Sequence, residues 1–433
     1  MQIKSKISII SVIFVFLAFT VSCGGSSKQD EEPKDDTDTE TADGAEMSDN
    51  DETSDDAEYD SGKADVSSIN FNIPEESSLV ADTSGHFAFP DVVRLQNGRL
   101  MTVFRSGSNH VDKSGLIVAA FSKDGINWDD PDILLDDPAI DDRDPSIAVL
   151  SDGRVAMNWF KYRYPADNYS EPWVHHLFFA VSDKSGFNFD EQIQVDTGIF
   201  DYSETSTLDE NGIWLDENGN EITVTASSSS VIEHDGKIII PGYFGDALNR
   251  KEMGKTPKTK VVLYESADGG KTWTPNEVKA GIDGTTWLQE PALLKVTDTR
   301  WIIQARTAKG ASPSNKGDLV QTVSEDAGKT WSSYESLGLV AHAPELLKLE
   351  NGVIVSSFRW LDWGINVNRE AVSMIYSLDG GNTWSDVLEI LDCGTAECGY
   401  PGMVELEGNK ILVVYYTPGG RAIESKIITF EAE

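Results

Sequence analysis

Short apolar runs alternate with polar turns along most of the chain, and the alternation itself repeats. One unit recurs six times: an apolar strand, a tight turn that usually bears Gly, and a second apolar strand. The first copies are Val92–Phe104 turning at Asn97-Gly98, Ile147–Phe160 at Asp152-Gly153, and Ser230–Phe244 at Asp235-Gly236. The rest are Pro291–Arg306 at Asp298-Thr299, Pro344–Arg359 at Asn351-Gly352, and Pro401–Tyr416 at Glu407-Gly408. Asn-Gly or Asp-Gly between apolar alternations is a strong short-range hairpin signal.

A second unit is interleaved with the first and reads Ser-x-Asp-x-Gly-x-Thr-Trp. Clear copies run from Ser266 to Trp273, Ser324 to Trp331 and Ser377 to Trp384. A shortened copy runs from Ser122 to Trp128, and a degraded one from Ser182 to Phe189 has Lys184 in the Asp place. The chemistry is that of a turn: Asp accepts from turn amides, Gly takes positive φ, and Trp packs beneath. These Asp residues read as staples, not catalysts.

Six hairpins and five interleaved boxes predict an all-β chain of six four-stranded blades, a β-propeller. Residues 68–433 number 366, about 61 per blade, a length suited to that architecture. The last hairpin has no box after it, so a strand near Ile69–Phe71 is expected to complete the sixth blade and close the ring. The spacing between Gly153 and Gly236 is wide, and Asp201 to Asn220 reads there as an acidic loop insertion.

The amino-terminal part follows another logic. Lys4 and Lys6 precede an apolar run from Ile7 to Ser22, which is short for a membrane span and right for a signal-peptide core. The run ends Val21-Ser22-Cys23-Gly24-Gly25, which resembles a bacterial lipobox, with Thr20 where Leu is usual. Residues 1–22 are therefore expected to be a lipoprotein signal peptide, with Cys23 the lipidated residue. Export to the outer membrane or cell surface follows, with the lipid as the only membrane contact. From Asp30 to Asp65 there are 17 acids; with Lys28, Lys34 and Lys63 the local net charge is −14. Residues 23–67 thus read as a lipidated Cys and an acidic disordered linker. The whole chain of 433 residues carries a net charge of −38, a field that repels nucleic acid. Six His without metal-ligand spacing give no metal site, and no cofactor is implied, although a structural calcium stays open. One propeller on a lipid tether fits a monomer.

The boxes, taken with particular residues, resemble the sialidase (neuraminidase) superfamily over 68–433. That resemblance implies a Tyr nucleophile, a Glu that activates it, an Asp acid/base and three arginines on the substrate carboxylate. Gln289-Glu290-Pro291 and Gln304-Ala305-Arg306 look like the family's Glu and second arginine. Asn368-Arg369 looks like the third arginine, and Gly399-Tyr400-Pro401-Gly402 like the nucleophile segment, where Pro401 departs from the family pattern. Asp112, after Arg105 and His110, looks like the acid/base loop. The first arginine is missing: His86-Phe87-Ala88-Phe89-Pro90 has Ala88 in its place. Either Arg105 or Arg143, the latter beside Asp144, reaches the same space, or the substrate lacks a carboxylate there. The resemblance implies an exo-glycosidase for terminal sialic acid or a related acidic sugar. The alternatives are a surface propeller that binds glycans without turnover, or a glycosidase or lyase for another sugar.

Each candidate also has a bland reading. Glu290 and Arg306 form a structural ion pair, Tyr400 fills the channel, Asp112 caps a turn, and Arg143 pairs with Asp144. Cys393 and Cys398 bracket Gly-Thr-Ala-Glu just before Tyr400, and in an exported chain they are expected to form a small disulfide.

Overall fold

A computed structural model describes residues 62–433, apart from 114, 139, 164–173, 190, 198–206, 210–213, 247–258, 283–285, 310–315 and 365–366. The signal segment, Cys23 and the linker as far as 61 lie outside the described residues.

Six antiparallel blades follow one another. The first is His86–Arg94, Leu100–Gly107, Leu116–Ser122 and Asp132–Leu135, paired in that order. The second, fourth and fifth blades repeat this order, starting from Asp141–Val149, Thr286–Lys295 and Ala341–Lys348. In the third blade the innermost strand is split into Thr223–Ala226 and Ile232–His234, both pairing Lys237–Asp246. The sixth combines both ends of the propeller: Ile69–Asn72 pairs Ala422–Ala432, so strands distant in sequence close the ring as the repeat count required. The expected insertion forms a small ribbon, Thr207–Leu208 against Trp214–Leu215, with much of it outside the described residues.

Pairing with the propeller starts before residue 68. The Ala64 amide donates to the Leu378 carbonyl at 3.0 Å, and that of Asp65 to Asn351 at 2.9 Å. The last residues assigned to the linker are therefore laid against the propeller. Backbone pairing offsets the ordering entropy that their acidic composition alone could not.

Between blades the contact is apolar. One core joins Met101, Val103 and Ile117 of the first blade to Ile147, Met157 and Trp159 of the second, all nearly or fully buried. The boxes staple the outer turns as expected: Asp268 Oδ1 accepts from the Lys271 and Thr272 amides at 3.0 Å, and Trp273 Nε1 donates to the Gly270 carbonyl at 3.0 Å. In the degraded box, Asp183 takes the role lost at Lys184 and accepts from the Ser185 amide at 2.9 Å.

One backbone feature positions the site. Phe89, Asp144, Glu290, Ala343 and Tyr400 are non-Gly residues with φ between 46° and 58°, and each directly precedes a proline. The pairing register of the innermost strand shifts at each of them. Proline has no amide to give the ladder, so the strand bulges there and the preceding side chain leaves the regular alternation. Pro401, a departure from the family pattern, is thus this chain's own rule, kept on five blades.

Candidate active site

The bulges converge on the axis. Phe89, Asp144, Ala343 and Tyr400, with Ser228 from the third blade, line one small cavity of about 20 Å³. That is room for a single water, so a sugar would rest above this floor.

Glu290 is buried and fully engaged. Its Oε1 accepts from Tyr400 Oη at 2.7 Å and from Arg306 Nη1 at 2.7 Å, and its Oε2 accepts from the Ala343 amide at 2.9 Å. Three blades meet in those contacts. Burial first, and the Glu290 charge second, push the Tyr400 phenol well above its ordinary range. The phenol is therefore protonated at neutral pH, and the carboxylate it touches is placed to receive that proton.

The next layer is set by the partner strand. Ala88, Gln289 and His342, each one residue before a bulge, pair with Arg105, Arg306 and Arg359. Three blades thus carry Arg at one structural position. On the second blade that position is Phe160, paired with Arg143, and Arg143 stacks over both Phe89 (5.0 Å) and Phe160 (6.0 Å). Arg105 is wholly buried and donates from Nε to Asp141 Oδ1 at 2.6 Å. Arg143 Nη1 donates to Asp141 Oδ2 at 3.1 Å and to the His110 carbonyl at 2.8 Å. Arg359 Nε donates to Glu370 at 2.8 Å and Nη1 to Glu397 at 3.2 Å.

A family model described as a BNR repeat-like domain matches residues 216–413. Among solved structures, a protein of unknown function from Dyadobacter fermentans aligns with TM-score 0.66 and 21% identity, over 84% of this chain and 100% of that one. The NanB sialidase from Streptococcus pneumoniae (a mutant form) aligns with TM-score 0.53 and 13% identity, over 83% and 71%. An α-L-arabinanase from Penicillium chrysogenum aligns with TM-score 0.54 and 15% identity, over 83% and 98%. Comparison with curated proteins finds no match. The fold is that of a sialidase-like BNR propeller. The likeness is one of fold, and a sialidase and an arabinanase are among the structures that share it.

The propeller does not gather every candidate. Arg369 stands on Val367–Ser377, the third strand of its blade, where Nη2 meets Glu389 at 2.6 Å and Nη1 meets Asp392 at 3.4 Å. Arg359, on the second strand, holds the position equivalent to Arg306. Asp112 is pinned in its loop: it accepts from the Ser108 amide and hydroxyl, and from the Lys113 amide at 2.7 Å. Slight burial opposes them, but these bonds hold its carboxyl down at about 2. Arg143 and Asp144 do not pair with each other: the Arg143 fork turns to Asp141, and Asp144 Oδ2 accepts from Ser228 Oγ at 2.9 Å.

Glu397, which the sequence did not single out, stands beside these candidates. Cys393 and Cys398 form a disulfide whose short loop presents it to Arg359, to Tyr416 Oη at 3.0 Å and to His110 Nδ1 at 3.2 Å. His86, His110 and Glu397 bring ligand atoms within 4.8 Å of one another, a geometry that could admit a metal ion. The field there opposes a cation. Burial, then the charges of Arg105 and Arg143, lower His86 to about 4; burial, then Arg143, lower His110 to about 2.

Proposed function

We propose that this propeller is a retaining exo-glycosidase that removes a terminal acidic sugar, of the sialic acid class, from glycans, with Tyr400 as nucleophile. One observation carries the reading: the 2.7 Å bond from the Tyr400 phenol to Glu290, a carboxylate itself fixed by Arg306 and the Ala343 amide. A neutral phenol beside a held base suits an anomeric carbon that bears a carboxylate, because an anionic nucleophile would be repelled there. In this reading Glu290 takes the phenolic proton as Tyr400 attacks and the glycosidic bond breaks. Water then hydrolyses the glycosyl-tyrosine, and two inversions give retention.

A second reading has its own support. Arg105, Arg143, Arg306 and Arg359 each already contact a carboxylate of the chain, so the positive charge of the funnel is largely balanced internally. That favours an uncharged sugar, which the arabinanase likeness in fold would also suit. Fluorogenic sialosides and arabinofuranosides, assayed side by side, separate the two. Under the first reading the sialoside is cleaved with retention, and Tyr400→Phe abolishes turnover. Robust turnover by Tyr400→Phe refutes the nucleophile, and binding without any product supports a glycan-binding propeller.

A further inference from the structure

Three of the five bulge positions before proline carry chemistry: Asp144, Glu290 and Tyr400. The proposed function uses two of them. Asp144 lies on the innermost strand of the second blade and lines the same cavity as Tyr400. It is buried, with 6% of its surface exposed. Its Oδ2 accepts from Ser228 Oγ at 2.9 Å, while its buried Oδ1 has no hydrogen-bond partner among the described residues. A buried carboxyl with one oxygen left over is costly unless something else uses that oxygen.

We propose that Asp144 is the acid/base of the reaction, in place of the loop residue Asp112. The inference rests on the reading of Tyr400 as nucleophile. In the first step the Asp144 carboxyl gives its proton to the leaving glycosidic oxygen. The C–O bond breaks, the Tyr400 oxygen bonds the anomeric carbon, and the phenolic proton passes to Glu290. In the second step the Asp144 carboxylate takes a proton from water, the water oxygen attacks the anomeric carbon, and Tyr400 leaves, recovering its proton from Glu290. Protons and electron pairs balance over the cycle, and no co-reactant is needed.

The surroundings suit the role. Burial first, then the negative charge of Glu290, raise the Asp144 carboxyl to about 7, against the opposing pull of Arg143, Arg105 and the Ser228 hydroxyl. The other titratable groups around it are the phenols of Tyr243 and Tyr400, both pushed up by burial and therefore neutral, and the carboxyls of Asp91 and Glu345 in the same cavity, which burial also raises, Asp91 to about 6. At neutral pH a carboxyl there is divided between its two forms, as an acid that later serves as base requires. Asp112 has the opposite environment: it is held ionised by the bonds from Ser108 and Lys113 and has no proton to give near neutrality.

The test is the dependence on leaving group. Asp144→Asn, Asp112→Asn and Tyr400→Phe are assayed on an aryl glycoside, whose phenolate leaves unaided, and on a natural linkage, whose alcohol must be protonated. Asp144→Asn is expected to lose on the order of 10²–10⁴-fold in kcat/KM on the natural linkage. Its glycosylation step on the aryl substrate is expected to change far less, and the alkaline limb of the pH profile near 7 is expected to vanish. Azide should restore turnover of the aryl substrate by Asp144→Ala, giving a glycosyl azide of retained configuration. Equal losses on both substrates, or the leaving-group split appearing in Asp112→Asn instead, overturns the assignment. Tyr400→Phe reports on the nucleophile alone, since its loss should be the same for both substrates.

Discussion

Replacing Asp144 by Asn should make the folded protein more stable relative to wild type as the pH rises. The carboxyl ionises at about 7 in the fold against 3.8 for the ordinary group, chiefly because it is buried. Its folded form therefore holds a proton that the unfolded chain releases. Stability from this group is complete below about pH 4 and is lost as the pH rises through 7. Keeping the charge inside costs about 4 kcal/mol in full, at about 1.4 kcal/mol for each pH unit by which ionisation is delayed, and about 3 kcal/mol of it falls between pH 5 and 8. Asn is nearly isosteric, keeps an oxygen for Ser228 and carries no charge. Asp91 and Asp142, both raised to about 6 by burial, titrate in both proteins and cancel in the comparison. Urea unfolding at pH 5 and pH 8 measures the effect: the difference between the variant and wild type should move by about 3 kcal/mol in favour of Asn. A difference that stays constant within about 0.5 kcal/mol would refute the buried, under-bonded carboxyl and weaken the case for its chemistry.

Two further outcomes are expected from the contacts around the funnel. Glu290→Ala leaves Arg306, the Tyr400 hydroxyl and the Ala343 amide without their shared acceptor, so unfolding free energy should fall by about 3–5 kcal/mol, with Glu290→Gln losing less; a loss below about 1 kcal/mol in urea melts would mean the carboxylate is not holding these blades. Replacing Cys393 and Cys398 together by Ser frees a short loop and should lower stability by about 2 kcal/mol on the chain-entropy account. The same melt run with reductant on the parent protein should give the same shift, and no shift in either would contradict the bond.

The blades were legible because their signals are local. Asn97-Gly98 or Ser266 to Trp273 fixes a turn within a few residues, and ring closure by Ile69–Asn72 followed from counting strands. The meeting of Glu290, Arg306 and Tyr400 was legible because the repeat itself carries them, at matched positions on their hairpins. Arg369 was picked by its distance to the following box, which places a residue on the third strand, whereas Arg359 on the second strand holds the position equivalent to Arg306. The informative interval was the other one, since Arg105, Arg306 and Arg359 each fall fifteen residues after a bulge proline. Asp112 could not be judged from sequence, because capture of its carboxylate by Ser108 depends on how the loop folds back. The end of the linker was misjudged for a similar reason: composition sets the cost of ordering Ala64 and Asp65, but not whether distant carbonyls await their amides.

The bulges explain why chemistry collects at the axis and not only in loops. A non-Gly residue in the left-handed region costs on the order of 1 kcal/mol or more, so five of them store at least about 5 kcal/mol. Such strain persists only where the surroundings over-determine it. They do so here: two residues beyond the first bulge, the Asp91 carboxylate binds the Ile147 amide and the Ser230 hydroxyl, each at 2.7 Å, and so ties three blades together. A side chain displayed in this way is held by the whole ring and is indifferent to loop length. Phe89 and Ala343 occupy the same display positions without polar groups. A change of residue at either would alter the lining of the funnel floor while leaving the ladder, which proline has already interrupted, as it is.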